Sequence, residues 1–305
     1  MIEEKVTVII CCFNEGKLLI NAINSLKKQS YKNFEVLLIN DGSSDAATNL
    51  ICKSLLKESN IKVIWHKENL GLSSARNTAF AHSNTEIIIP LDADDELPTN
   101  AIEKIVNGFK MYPDADFIFG NYMIIDESNK INLINCSNIV NNDCLLNPTS
   151  ISKNWSLLGT SPCRKQVWEQ IGGYDPKFAN SIQDIDFWIR AIMNNNKGYY
   201  INDTIYFWKI RKIGMNNNVK SIFHIHNLYK NRKFFSKYGD LKKNKEIINF
   251  VFLSYYGKNY YYDALKVALL HLPLLNNYSK LRIVIILFKI IKHKTIFRNF
   301  FKINK

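Results

Sequence analysis

Between residues 6 and 125, apolar β-branched runs alternate with stretches spaced for helices, and two of the runs stop at aspartate. Val6 to Ile10 is the kind of continuous run that a parallel strand buried on both faces needs. Leu18, Leu19, Ala22, Ile23 and Leu26 then recur at helical spacing, through Gln29. The next strand, Phe34 to Ile39, breaks at the turn signal Asp41-Gly42-Ser43. The pattern predicts a helix over 48–57, a strand over 62–66 and a helix over 73–81 capped by Ser73 or Ser74. A strand over 86–91 follows, running straight into Asp92-Ala93-Asp94-Asp95, then a helix over 99–111 and a strand over 116–125. Such alternation is an α/β layer fold with right-handed crossovers, whose ligands belong at the carboxyl ends of the strands.

Residues 127–160 are irregular and rich in Asn, which suits an excursion on the acceptor side of such a cleft. After Tyr206 the strand patterns fade, and helices are expected over 228–238, 245–256, 263–272 and 279–288, with Pro273 ending the third. The 305 residues therefore divide into a layered domain, 1–216, and a helical extension, 217–305. Charge divides the same way. From Phe207 onward there are 21 Lys/Arg against 3 Asp/Glu, whereas the preceding residues carry 19 against 24. An acidic body with a basic tail calls for an anionic partner, whether phospholipid, nucleic acid or a phosphorylated ligand. The longest apolar run, Ile283 to Phe288, is far short of the ~20 residues that span a bilayer. Glu3 and Glu4 before a short apolar stretch do not resemble a secretory leader. The six cysteines (11, 12, 52, 136, 144 and 163) form no C-x-x-C pair, so neither a zinc site nor a disulfide framework is expected, and a reducing cytoplasm fits.

Acids at strand ends carry the chemistry. Asp41 follows the second strand, Asp92 and Asp94 follow the fourth, and Asp184 and Asp186 precede a short helical pattern. A lone Asp after a strand is usually a turn or cap residue, but three such points on one sheet converge on one cleft. Hard carboxylate oxygens in an Asp92-x-Asp94 arrangement suit Mg²⁺ or Mn²⁺, with a substrate diphosphate completing the coordination. Asp184 is placed to serve as a general base, while Asp186 and Arg190 are four apart and can pair along a helix.

Six segments together resemble glycosyltransferase family 2. They are Val-Thr-Val-Ile-Ile-Cys-Cys-Phe-Asn-Glu (6–15), Asn-Asp-Gly-Ser-Ser-Asp (40–45), Asn-Leu-Gly-Leu-Ser-Ser-Ala-Arg-Asn (69–77), Pro-Leu-Asp-Ala-Asp-Asp (90–95), Gly-Gly-Tyr-Asp (172–175) and Gln-Asp-Ile-Asp-Phe-Trp-Ile-Arg (183–190). The likeness runs over residues 4–216, about 70% of the chain. It implies a GT-A fold, a Rossmann-like mixed sheet flanked by helices, followed here by a basic helical extension. It also implies a nucleotide-sugar pocket lined by Cys12, Phe13, Asn14 and Glu15, with Asp41 on the uracil of a UDP-sugar and Arg76 helping to hold the nucleotide. Asp92 with Ala93 would approach the ribose, Asp94 would ligate Mn²⁺ or Mg²⁺, and Asp184 would be the base. Lys209 and Arg211, followed by Gly214-Met215-Asn216, resemble the loop that closes over the diphosphate.

Two positions depart from the family pattern. Cys11 replaces a proline, and Gln183 replaces a glutamate that orients the acceptor. Gln183, Asp186 and Trp188 are thus expected on the acceptor side or in structural roles. The implied reaction is inverting transfer from a nucleotide sugar to a glycan or polyprenyl-linked acceptor, in surface-polysaccharide synthesis at the inner face of the cell membrane. A sugar-nucleotide-binding protein without turnover is the first alternative, favoured by Gln183, and a basic nucleic-acid-binding module the second. No nucleic acid is expected, because the tail only partly interleaves aromatic and basic residues. A nucleotidyltransferase would want a Gly-rich phosphate loop that Cys11 to Gly16 does not resemble. In the tail, Arg282, Lys289 and His293 form one stripe of a helix over 279–297, otherwise largely apolar through Ile291. That helix either packs on protein or lays its basic edge on anionic headgroups. The Tyr255–Tyr262 cluster reads as helix packing or interfacial aromatics, and His224-x-His226 has no third ligand in sight.

Overall fold

The computed structural model describes residues 4–178, 182–211 and 227–287, apart from 229, 240, 259 and the side chains at 241 and 243. Gly214-Met215-Asn216, His224, His226, Lys289 and His293 lie outside the described residues. The chain forms two compact units, Met1–Val219 and Lys220–Lys305.

In the first unit, strands β1 (Val6–Cys12), β2 (Phe34–Asn40), β3 (Ile61–Trp65) and β4 (Ile87–Asp92) lie parallel in the order β3-β2-β1-β4. The sheet continues through β7 (Cys163–Arg164), β5 (Phe117–Ile125) and β6 (Ile131–Ile134), and β8 (Gly198–Lys209) pairs with β5 in parallel. β7 is antiparallel to β4 and β5, and β6 to β5, so the sheet is mixed. The helices are α1 (Lys17–Lys27), α2 (Ala46–Leu55), α3 (Leu72–His82), α4 (Ala101–Met111), α5 (Pro148–Lys153), α6 (Lys165–Ile171) and α7 (Gln183–Met193).

β1, β2 and β4 are apolar almost throughout because helices cover both of their faces; Val6, Val8, Ile10, Leu38, Ile39, Ile87 and Ile88 are fully buried or nearly so. Residues beyond Ile125 are less irregular than the sequence suggests, since β6, a 3₁₀ turn (Cys136–Ile139) and α5 lie there. The cap of α3 also differs from expectation. Gly71, not Ser73 or Ser74, is the N-cap, and Ser73 is buried inside the helix.

The second unit contains α8 (Arg232–Tyr238), α9 (Leu241–Gly257), α10 (Tyr261–His271) and α11, which covers 277–287. Val251, Phe252, Tyr255, Ala264, Val267, Leu275 and Ile286 form its core. Tyr255 is thus a packing residue, whereas Tyr262 is exposed.

Candidate active site

β1, β2 and β4 end side by side, with Cys12 paired to Asn40 and Cys11 to Asp92, so their following loops share one edge of the sheet. Successive residues of a strand face opposite ways. Cys12 turns into the core, its Sγ 3.9 Å from Cys52 Sγ, and only its carbonyl serves the edge by accepting from the Asp41 amide at 2.9 Å. Burial pushes the Cys11 thiol up to about 12, and contact with Cys52 together with burial raises Cys12 as well, so both are neutral; Cys11 lies half-buried in the field of Arg76, Asp92 and Asp41.

The loop after β1 is laced to the loop after β2. The Asn14 amide donates to Ser43 Oγ (3.1 Å), Asn14 Oδ1 accepts from the Asp45 amide (2.9 Å), and Gly16 N–H donates to Thr48 Oγ1 (2.7 Å). Phe13 is left exposed beside it.

Asp41 is buried and heavily used. Its carboxylate accepts from the amides of Leu70 (3.0 Å) and Gly71 (2.9 Å) and lies 2.6 Å from His66 Nδ1. His66 Nε2 is in turn 3.0 Å from Thr78 Oγ1. Asp41 therefore pins the loop between β3 and α3 against the end of β2. Gly42 permits that approach, because a Cβ there would sit 2.2 Å from the carbonyl carbon of Glu68. His66 follows β3 directly, and the rule that sites gather at strand ends was the available signal for it.

The acidic loop after β4 is held from three sides. Buried Arg76 of α3 donates to Asp92 at 2.7 Å and lies over the Tyr174 ring. Burial works against its charge, but Asp92 and Asp184 hold it positive. The Asp92 amide donates to Tyr206 Oη (3.1 Å), and buried Asp95 accepts from Tyr206 Oη–H (2.8 Å) and the Lys209 amide (2.7 Å). Lys209 Nζ pairs with Glu96 at 3.3 Å. Ala93 is buried within this loop.

Arg211, just past β8, donates to Asp94 Oδ2 and reaches Glu15 Oε2 at 3.4 Å. Burial and the neighbouring Asp92 raise the Asp94 carboxyl, and burial with Asp94 raises Glu15 to about 6, against the pull of Arg211. Among the described residues, no three His, Cys, Asp or Glu side chains are grouped to hold a metal ion by themselves. Crowded, partly desolvated carboxylates balanced by one cation are nevertheless a donor set that accepts a hard dication when a diphosphate supplies further oxygens.

Asp184 does not follow a strand. It stands in the first turn of α7, whose own Ile185 amide donates to its Oδ1 at 2.9 Å. Burial raises its carboxyl, opposed by the positive field of Arg76, and Asp92 adds to the rise. Its room comes from Gly159, where a Cβ would fall 2.1 Å from Asp184 Oδ2. That glycine is tied to α7 because Trp188 Nε1 donates to its carbonyl at 3.1 Å. Trp188 and Asp186 are buried, and Asp186 pairs with Arg190 at 2.8 Å as the spacing predicts. Gln183 is buried too, with its Oε1 lacking a hydrogen-bond partner. The Gly172-Gly173-Tyr174 turn is fixed through Asn77, whose side-chain oxygen accepts from Trp168 Nε1 and the Tyr174 amide, each at 2.8 Å.

Four parallel strands presenting an anchored acidic loop, a basic arm and a buried carboxylate at one edge define an α/β fold of the GT-A class. The model of the family described as "Glycosyl transferase family 2" matches residues 7–175, and the chain belongs to that family. Glycosyltransferase GlyG of Streptococcus pneumoniae serotype 4 is 33% identical over 127 residues, covering 41% of this chain and 42% of GlyG. Putative glycosyltransferase EpsE of Bacillus subtilis is 26% identical over 211 residues, 68% of this chain and 73% of EpsE. The chain spans 42% of the length of GlyG and 18% of that of GlyA of the same Streptococcus, well under two thirds of either. Among solved structures, S. aureus TarS 1-349 in complex with UDP-GlcNAc shares the fold at a TM-score of 0.66 and 18% identity, covering 83% of this chain and 73% of that one.

Proposed function

We propose that this chain moves a sugar from a nucleotide-diphosphate donor, a UDP-sugar, to a hydroxyl of a glycan or polyprenyl-linked acceptor, with inversion. The observation that carries this reading is the shared electrostatics of one edge: Arg76 acts on both Asp92 and Asp184, while Arg211 bridges Asp94 and Glu15. TarS has been solved with UDP and with UDP-GlcNAc, which supports a uridine nucleotide as donor.

In this reading the segment from Phe13 to Glu15, together with Asp41 and its pinned loop, receives the nucleoside, and Asp92 faces the ribose. The acceptor hydroxyl attacks the anomeric carbon, Asp184 takes its proton, and the bond from the anomeric carbon to the phosphate oxygen breaks with its electron pair leaving on the diphosphate. A raised carboxyl suits a base that must pick up a proton from an alcohol. Arg211 exchanges Asp94 and Glu15 for the departing diphosphate, and Lys209 stands beside it. Asp94 would hold Mn²⁺ or Mg²⁺, which supplies Lewis-acid stabilisation of the leaving group when bound. The product belongs to a surface polysaccharide, made at the cytoplasmic face of the membrane.

The test is release of UDP from a panel of UDP-sugars, with Mn²⁺ or with EDTA and with membrane lipid extract as acceptor source. Release from one donor that is lost with EDTA, and in Asp94→Asn and Asp184→Asn, is the expected result. No nucleotide binding by any method overturns the reading. Gln183, buried and unable to ionise, favours a second reading of donor binding without turnover. Single-turnover UDP release decides between the two.

A further inference from the structure

α11 packs one face on the second unit and leaves a largely apolar face outward. Ser279 and Ile286 are fully buried, and Ile283 packs on the core of the second unit. At about 100° per residue, Leu287, Val284, Leu281, Ile285 and Tyr278 sweep roughly half of the remaining circumference. They are 44%, 50%, 67%, 38% and 54% exposed. Exposed Asn277 and Lys280 lie inside that sweep, and Arg282 borders it, donating to Tyr256 Oη at 3.0 Å and also to Tyr278 Oη.

A face like this needs a partner, and charge identifies which. Residues 220–305 carry 18 Lys/Arg against 3 Asp/Glu, and the stretch 288–305 alone carries six Lys/Arg with no acid. A second copy of the chain would bring the same positive charge and be repelled. An anionic bilayer surface offers hydrocarbon for the leucines and phosphates for the lysines together. Among the described residues no helix is long and apolar enough to cross a membrane, so the contact is one of lying in the surface plane.

We propose that the outer face of α11, centred on Leu281 and Val284, docks the chain on anionic phospholipid. This docking needs no turnover, so it stands or falls separately from the transferase reading. The experiment is co-sedimentation of the full chain with phosphatidylcholine vesicles and with vesicles in which a third of the lipid is phosphatidylglycerol. Expected is binding to the anionic vesicles that drops by about tenfold or more when Leu281→Asp and Val284→Asp are combined. Leu50→Asp, at an exposed leucine of the first unit, should leave binding unchanged. A Leu281→Trp variant gives a second readout independent of any folding loss: its added emission should shift to the blue on anionic vesicles only. Three results overturn the proposal. They are no binding of the unaltered chain to anionic vesicles, binding that survives the double substitution, and a dimer in solution that the double substitution dissolves while vesicle binding is absent.

Discussion

Replacing Gly159 with alanine is the sharpest probe of how Asp184, the proposed base, is held. The new Cβ would lie 2.1 Å from Asp184 Oδ2 and 2.8 Å from both its Cβ and Cγ, whereas ordinary contact begins at 3.4 Å. Rotating the carboxylate alone relieves only the first of these, so the side chain as a whole must retreat by roughly 1 Å. A misplacement of that size costs on the order of 10²-fold in rate, about 2.7 kcal/mol of barrier. Because the proposed donor pocket is built from other loops, donor affinity should stay within about twofold of the unaltered chain. The assay is kcat for UDP release, donor affinity by calorimetry, and Tm. Gly198→Ala is the matched control. Its Cβ would meet the Phe117 ring at the same 2.1 Å, within the sheet and away from the acids. It should lose stability, about 1–3 kcal/mol as overpacking typically does, and keep its kcat. If Gly159→Ala instead keeps kcat and loses only Tm, the loop yields rather than the carboxylate, and Gly159 is not what positions Asp184.

Three further outcomes are expected. Asp184→Asn should lower kcat by about 10²–10⁴-fold while leaving donor affinity intact, and it should remove an acid limb of kcat/KM lying above the ordinary aspartate range because burial raises that carboxyl. Glu15 binds its proton up to about pH 6 in the folded chain, against an ordinary 4.5, so folding is favoured below that window and weakened as pH rises through it. Glu15→Gln should therefore raise Tm at pH 7.5 and not at pH 4, read by calorimetry. Arg190→Ala leaves Asp186 buried without its 2.8 Å partner and should cost about 3 kcal/mol, or roughly 6–12 °C in Tm.

The parallel half of the sheet was legible because buried strands write themselves as unbroken apolar runs, and the helices between them as spaced ones. β7 was not, since two residues carry no period of their own and are set only by the strands on either side. Asp184 was legible as a candidate base, but not its origin in a helix rather than a strand end. Asp186 and Arg190 could be paired from spacing alone because a helix fixes that distance. Gly159 could not be found, since its contribution is the volume it leaves empty. Asp41 presents a subtler case. The strand-end rule marks it, yet its bonds to Leu70 and Gly71 join segments about thirty residues apart, which no local pattern encodes.

The anchoring of Asp95 has a consequence for synthesis. Domains form from the amino terminus as the chain emerges, and all four parallel strands are present once Asp92 has appeared. Asp95, however, is buried in the folded chain against Tyr206 and the Lys209 amide, partners more than a hundred residues later. Until β8 arrives, that carboxylate has neither hydrogen-bond partner and must stay in water, so the acidic loop cannot adopt its final form on a partial chain. A chain that ends before β8 thus lacks both a strand of the sheet and the partners that bury Asp95, so the end of β8 fastens the acidic loop in its final form.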